Sequence, residues 1–212
     1  GMLPICFGAG TKVSSFLLDA PKRYLVTGSL GVSTNSGDAD GTVVTKCPRI
    51  ELRSEALRAT FESFVGEIEQ IPPMHSALKH KGRRLYQLAR EGIEVPREAR
   101  RVTIHSIEIL GLKWPEITFE VSCSKGTYVR TLVEDVAKAL GTVGHVAKLR
   151  RLAVGSFEEG QLVTLETLET SAKEGLPALD RWLLAVDQAL AQWPSVVVEA
   201  AFCKPLTQGQ AV

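Results

Sequence analysis

Tyr128 and Arg130 stand two residues apart in "SCSKGTYVRTLVEDVAKALG" (122–141), after a Lys-Gly turn and just before a segment with helical spacing. If Thr131 caps that helix and Glu134 completes a capping box, both residues lie in an extended approach and point to one side. An aromatic plane and a guanidinium would then share a cleft at the end of a sheet. Arginine pairs bidentately with carboxylates or phosphates, and tyrosine offers a stacking face with a polar tip. The pair suits a nucleobase beside an anion. It also suits plain structural duty, with Arg130 covering a surface acid and Tyr128 filling core. Tyr24, in "KRYLV" behind Lys22 and Arg23, is a second aromatic at the start of a strand.

Charge strengthens the nucleic-acid option. The net charge of +1 hides an uneven distribution. Residues 79–101, "KHKGRRLYQLAREGIEVPREARR", hold eight Lys/Arg against three Asp/Glu, and residues 125–151 hold six against two. Two basic segments on an otherwise acidic chain point to a local polyanion site, although such runs are also found as solvated faces. With Tyr24 and Tyr128 as stacking faces, single-stranded or flipped-out RNA is the fitting ligand, because its bases are held on aromatics flanked by cations.

Other chemistries find less support. Cys6, Cys47, Cys123 and Cys203 form no CxxC pair and the four histidines have no zinc spacing, so reduced thiols in a cytosolic protein are expected and no metal site. Asp38 and Asp40 alternate in "TNSGDADGTVV" (34–44), yet the calcium-loop pattern is incomplete and a tight turn is expected. No apolar run reaches the roughly 18 residues of a membrane span, and "GMLPICFGAG" has no signal-peptide features. At 212 residues, 44% hydrophobic and 23% charged, the chain can bury a substantial core.

The elements that must position these residues follow from periodicity. A short helix is predicted over 11–20, a strand over 22–31, and a helix over 54–64 with a serine cap and Ala56, Leu57, Phe61 and Phe64 at helical spacing. The prolines of "IPPM" mark an extended crossing, and 84–91 reads as a short helix within the first basic segment. Segments 101–110 and 116–124 alternate, with Ile117, Phe119, Val121 and Cys123 on one face, so a hairpin turn is expected near Trp114. In the helix after the Tyr-Arg motif, Leu132, Val133, Val136, Ala137 and Leu140 share a face before Gly141 ends it. Another strand is predicted over 145–157, then helices near 164–174 and 177–191, and after Trp193-Pro194 the start of a second, small β unit. The class is α+β, with a mixed, mostly antiparallel sheet flanked by helices.

The segments "GMLPICFGAGTK", "KRY", "TNSGDADG", "GEIEQIPPMHSALKHKGRRLYQLAREGIEVPRE" and "CSKGTYVRTL…HVAKLRRLAVGSF" closely resemble the bacterial tRNA pseudouridine synthases of the TruB type, over nearly the whole chain. The resemblance implies the pseudouridine synthase fold: a catalytic domain over 1–193 with an RNA-gripping insertion at 79–101, and a truncated start of a PUA-like RNA-binding domain at 194–212. It implies isomerisation of the T-loop uridine of tRNA without a cofactor, by a cytoplasmic protein whose partner is the T-stem-loop. A monomer is expected. Tyr24 would stack on the target base, Tyr128 and Arg130 would lie at the target nucleotide, and Leu149 would line the base pocket. Arg130 would pair with the catalytic aspartate. Lys79, Lys81, Arg83, Arg84, Lys125, Arg150 and Arg151 would meet the RNA backbone.

One departure matters. In the family the nucleophilic aspartate lies in a "GHTGxLDPxATG" motif a few residues before "MLP", and these 212 residues start at Gly1-Met2-Leu3-Pro4. Asp38, Asp40 and Asp135 read as turn or surface acids rather than substitutes. An isomerase whose motif precedes these residues and a catalytically incomplete T-loop-binding fragment are therefore both open. A smaller departure is "GTVGHV" (141–146), where relatives carry a Cys-Gly-Ala run and loop adjustment is expected.

Overall fold

The computed structural model describes residues 1–210. Its centre is a five-stranded sheet in which every neighbouring pair is antiparallel, in the order β4 (Gly66–Gln70), β7 (Arg100–Lys113), β8 (Glu116–Cys123), β1 (Lys22–Leu30) and β9 (Gly144–Val154). Two small ribbons accompany it: β2 (Val32–Thr34) with β3 (Val43–Lys46), and β5 (Lys79–His80) with β6 (Arg83–Arg84). The helices are α1 (Ser14–Asp19), α2 (Ser54–Ser63), α3 (Leu85–Arg90), α4 (Val129–Ala139), α5 (Leu165–Glu174), α6 (Leu176–Asp180) and α7 (Ala200–Thr207).

Alternation decides which face of the sheet is buried. Ile117, Phe119, Val121 and Cys123 of β8 point inward, as their spacing predicts, and Val26 of β1 and Ile104 of β7 join them. Over this face lies α4, burying Leu132, Val133, Val136 and Ala137. Its approach to β1 is close: a Cβ on Gly28 would sit 3.1 Å from Val133 Cγ1. α2 adds Leu57 and Phe61, and the Phe61 ring meets Phe119 edge-on at 5.0 Å. On the opposite face Arg23 pairs with Glu120 at 2.9 Å. The result is the mixed helix and antiparallel-sheet class expected from sequence.

Three local expectations change. α2 begins at Ser54 with Arg53 at its N-cap and no side-chain cap bond, so the serine does not cap. The helix predicted over 177–191 is α6 followed by a turn and a short 3-10 segment at Val186–Leu190. The small β unit after Pro194 has no strand among the described residues. Val196, Val197 and Val198 find no ladder to join, and the Ala-rich stretch behind them forms α7. A lone β-branched run has no strand structure without a neighbour to hydrogen-bond it.

Candidate active site

Arg130 belongs to the first turn of α4, because the helix begins at Val129 with Tyr128 as its N-cap (φ −99°, ψ 103°). The expected Thr131 cap and extended approach are replaced by this earlier start. Thr131 is buried and its Oγ1 has no hydrogen-bond partner, so core burial has taken a residue whose type suggests capping. Tyr128 and Arg130 therefore do not share a side as strand neighbours would.

The Arg130 guanidinium joins two loops. Nη1 donates to Asp38 Oδ2 at 2.9 Å and to Ser36 O at 3.2 Å, and Nη2 donates to His75 O at 2.8 Å. This use of a planar fork fixes the head group in a way a lysine would not. Asp38 is held in turn: its Oδ1 accepts from Ser36 Oγ at 2.6 Å and from the Asp40 N–H at 3.2 Å. Burial pushes the Asp38 carboxyl up, but the Ser36 hydroxyl, the Arg130 charge and the Asp40 amide outweigh it and leave the group below the usual carboxylate range.

The Asp38 turn is docked rather than free. Val146 N–H of β9 donates to Gly37 O at 3.0 Å, and Gly37 has φ +72°. A Cβ there would lie 2.9 Å from Glu134 Oε1 and 3.4 Å from Arg130 Cβ. Both the left-handed backbone and the close approach favour glycine. Glu134, one helical turn beyond Arg130, is half-buried. Burial and the neighbouring Asp135 raise its carboxyl pKa, with Arg130 opposing. A carboxyl whose pKa is raised on folding costs stability once pH exceeds it, and nothing when both states are protonated. Glu134→Gln is therefore expected to melt above the wild type at pH about 8, with the gain vanishing below pH about 4. Thermal unfolding at the two pH values checks this.

Asp38, Ala39, Asp40, Arg130, Val146, Ala147 and Leu149 line a depression of about 420 Å³. Leu149 stands at its open side, 46% exposed. Of the residues singled out by sequence, the structure brings Arg130 and Leu149 together and adds Asp38, which sequence reasoning left in a turn. Tyr24 and Tyr128 are not in the lining. Tyr24 sits across from Arg151 in the β1–β9 register, one step along from the Val26–Leu149 pair on the same sheet face. Burial raises its hydroxyl pKa, and the neighbouring Arg151 opposes the rise.

Several expected RNA-facing cations already have partners. Arg83 pairs with Glu91, Lys125 with Asp19 at 3.0 Å, and Arg150 with Glu159 at 2.8 Å. Arg84 Nη1 donates to Ala77 O, and Arg151 Nε donates to Met2 O at 2.7 Å. Among the described residues Lys79 and Lys81 have no carboxylate partner. Exposed ion pairs contribute only about 0–1 kcal/mol, so the paired arginines can exchange a carboxylate for a phosphate at small cost. Lys22 is structural: its Nζ donates to Leu17 O, Leu18 O and Ala20 O, closing the end of α1. No helix is long and apolar enough to cross a membrane among the described residues.

The antiparallel α+β scaffold thus sets an arginine clamped by an aspartate beside an apolar-edged depression. The chain belongs to the TruB family of pseudouridylate synthases: the model of that family's N-terminal domain matches residues 1–129, and the tRNA pseudouridylate synthase B C-terminal domain model matches residues 130–191. Its relatives include the tRNA pseudouridine synthase B of Nitrosococcus oceani, 51% identical over 212 residues, with all of this chain and 69% of that protein covered. That of Idiomarina loihiensis is 46% identical over 212 residues, covering all of this chain and 68% of the relative. The fold resembles that in a crystal structure of a Cbf5-Nop10-Gar1 complex, with a TM-score of 0.69 at 24% identity, over 94% of this chain and 52% of the other. It also resembles an H/ACA RNP bound to a substrate RNA containing 2'-deoxyuridine, with a TM-score of 0.67 at 21% identity, over 95% of this chain. This chain spans about half the length of each of those solved chains (52% and 51%). The boundary between the two matched family domains falls inside the first turn of α4, while the sheet runs across it: β9 pairs directly with β1.

Proposed function

We propose that this chain binds the T-stem-loop of tRNA as a monomer in the cytoplasm and, together with the Leu-Asp-Pro segment that the family carries before its "MLP", isomerises a flipped-out T-loop uridine to pseudouridine. The observation that carries the reading is the Arg130–Asp38 clamp at the depression edged by Leu149, in a chain of this family. Leu149 lines the base pocket, Tyr24 stacks on the base from its row on β1, and Tyr128 lies beside the target nucleotide. Lys79 and Lys81 at the β5–β6 ribbon meet phosphates, joined by Arg83, Arg84, Lys125, Arg150 and Arg151.

The chemistry breaks the glycosidic bond between C1′ and N1 and forms a new bond between C1′ and C5 of the same base. A proton is lost from C5 and one is gained at N1, so atoms balance and no external group is needed. Extraction of the base costs a few kcal/mol of unstacking, which stacking and phosphate contacts offset. The resemblance places the attacking carboxylate in the Leu-Asp-Pro motif. A carboxylate approaching Arg130 is held ionised by that charge, where burial alone would protonate it. Asp38 keeps the guanidinium aimed while it does so.

The test is incubation with a T-arm transcript, scoring pseudouridine by carbodiimide-dependent primer-extension stops. Conversion at the T-loop uridine is expected when the Leu-Asp-Pro segment is joined to these residues, and binding without conversion from residues 1–212 alone. Binding without conversion even with that segment would make these residues a T-loop-binding module, and neither binding nor conversion would sink the reading altogether. The phosphate assignment has its own check. Replacing Lys79 and Lys81 together by alanine should flatten the plot of log affinity against log salt by about one to two, without altering the preference for the target base.

A further inference from the structure

α4 lacks a side-chain cap of its own. Its N-cap residue is instead held from outside by Gln70, the last residue of β4 and 2% exposed. Tyr128 N–H donates to Gln70 Oε1 at 3.0 Å, and Gln70 Nε2 donates to Tyr128 O at 3.3 Å. One buried amide thus satisfies both backbone groups of the residue at which the chain turns into the helix. Arg130 follows two residues later. The chain leaving Gln70 then crosses Pro72 and Pro73 and returns at His75, whose carbonyl accepts from Arg130 Nη2. Two points five residues apart on this one segment therefore grip the Tyr128–Arg130 turn, first by its backbone and then by its side chain.

We propose that Gln70 is a positioning residue, whose paired hydrogen bonds to Tyr128 set where α4 begins and so aim Arg130 at Asp38. A buried amide with both groups satisfied fixes a register that an apolar residue of equal size leaves free, because the Tyr128 N–H would then lack a partner. If the helix start slips by one residue, Arg130 turns by about 100° around the axis and leaves both Asp38 and His75.

The first measurement needs no RNA: carbon-detected titration of the Asp38 carboxyl in the free protein. In Gln70→Leu that titration is expected to move up towards the ordinary carboxylate range as Arg130 drifts away. In Phe61→Leu, which loosens the core beside α2 without touching the turn, it should stay as in the wild type. An unmoved Asp38 titration in folded Gln70→Leu overturns the inference. An equal shift in Phe61→Leu overturns it too, since the effect would then be general loosening.

If Gln70→Leu does not fold, Gln70→Glu decides. Protonated, the introduced carboxyl can both accept from Tyr128 N–H and donate to Tyr128 O; ionised, it can only accept. Slow exchange of the Arg130 guanidinium protons should survive at pH about 5.5 and collapse at pH about 8, beyond the change in the wild type. Protection that matches the wild type at both pH values overturns the proposal.

A second arm rests on the functional reading above. The wild type should prefer a T-arm stem-loop with uridine at the target position over the same RNA with an abasic site there, and Gln70→Leu should lose about tenfold of that preference. A wild type without the preference would count against the functional reading, while the Asp38 titration would still decide the role of Gln70.

Discussion

In the enzyme that carries the Leu-Asp-Pro segment, Arg130→Ala is expected to convert the target uridine about a thousandfold more slowly than the unsubstituted form, while affinity for the T-arm falls by less than about tenfold. The asymmetry follows from what the guanidinium touches. Its contacts are Asp38, Ser36 O and His75 O, and with Asp38 it lines the depression where the proposed reading seats the base, away from the phosphate backbone. Removing it leaves the Asp38 carboxylate without its cation and withdraws the charge that keeps an approaching carboxylate ionised. Single-turnover conversion and equilibrium binding, measured on the same preparation, check both halves. Equal losses in the two would mean that Arg130 is a phosphate ligand and nothing more.

The largest expected effect on stability is at Phe119. Phe119→Ala should cost about 3–5 kcal/mol, because the ring is 1% exposed, lies under α4 in the centre of the sheet and meets Phe61 edge-on. Denaturant unfolding should show a lower midpoint with an unchanged slope. A loss below about 1 kcal/mol would mean that the space collapses around the smaller residue.

The central sheet and α4 were legible in the chain because their patterns are local. Ile117, Phe119, Val121 and Cys123 alternate, and Leu132, Val133, Val136 and Ala137 recur at helical spacing, so each element announces its buried face. Arg130 stood out through its Tyr-x-Arg junction, and Leu149 only through the family resemblance. Asp38 did not, although it was correctly placed in a turn. What makes it part of the site is the docking of that turn on Val146 and Arg130, contacts that no short-range pattern carries. Thr131 shows the reverse failure. Thr131-x-x-Glu134 matches a capping signature, yet burial of Thr131 against the core won, and Gln70, more than fifty residues upstream, supplies the cap from β4. The stretch Val196–Val198 has strand-forming residues but no pairing partner among the described residues, and no local pattern signals that.

The clamp also has a kinetic consequence. Arg130 reaches Asp38 across 92 residues of chain and His75 across 55, and the turn that carries Asp38 is anchored to the sheet's last strand. No short stretch of the polypeptide can form this arrangement by itself, and closing such long loops is slow compared with making α4. During refolding, helical signal should therefore return first, and discrimination between a uridine and a missing base should reappear only with the slowest phase.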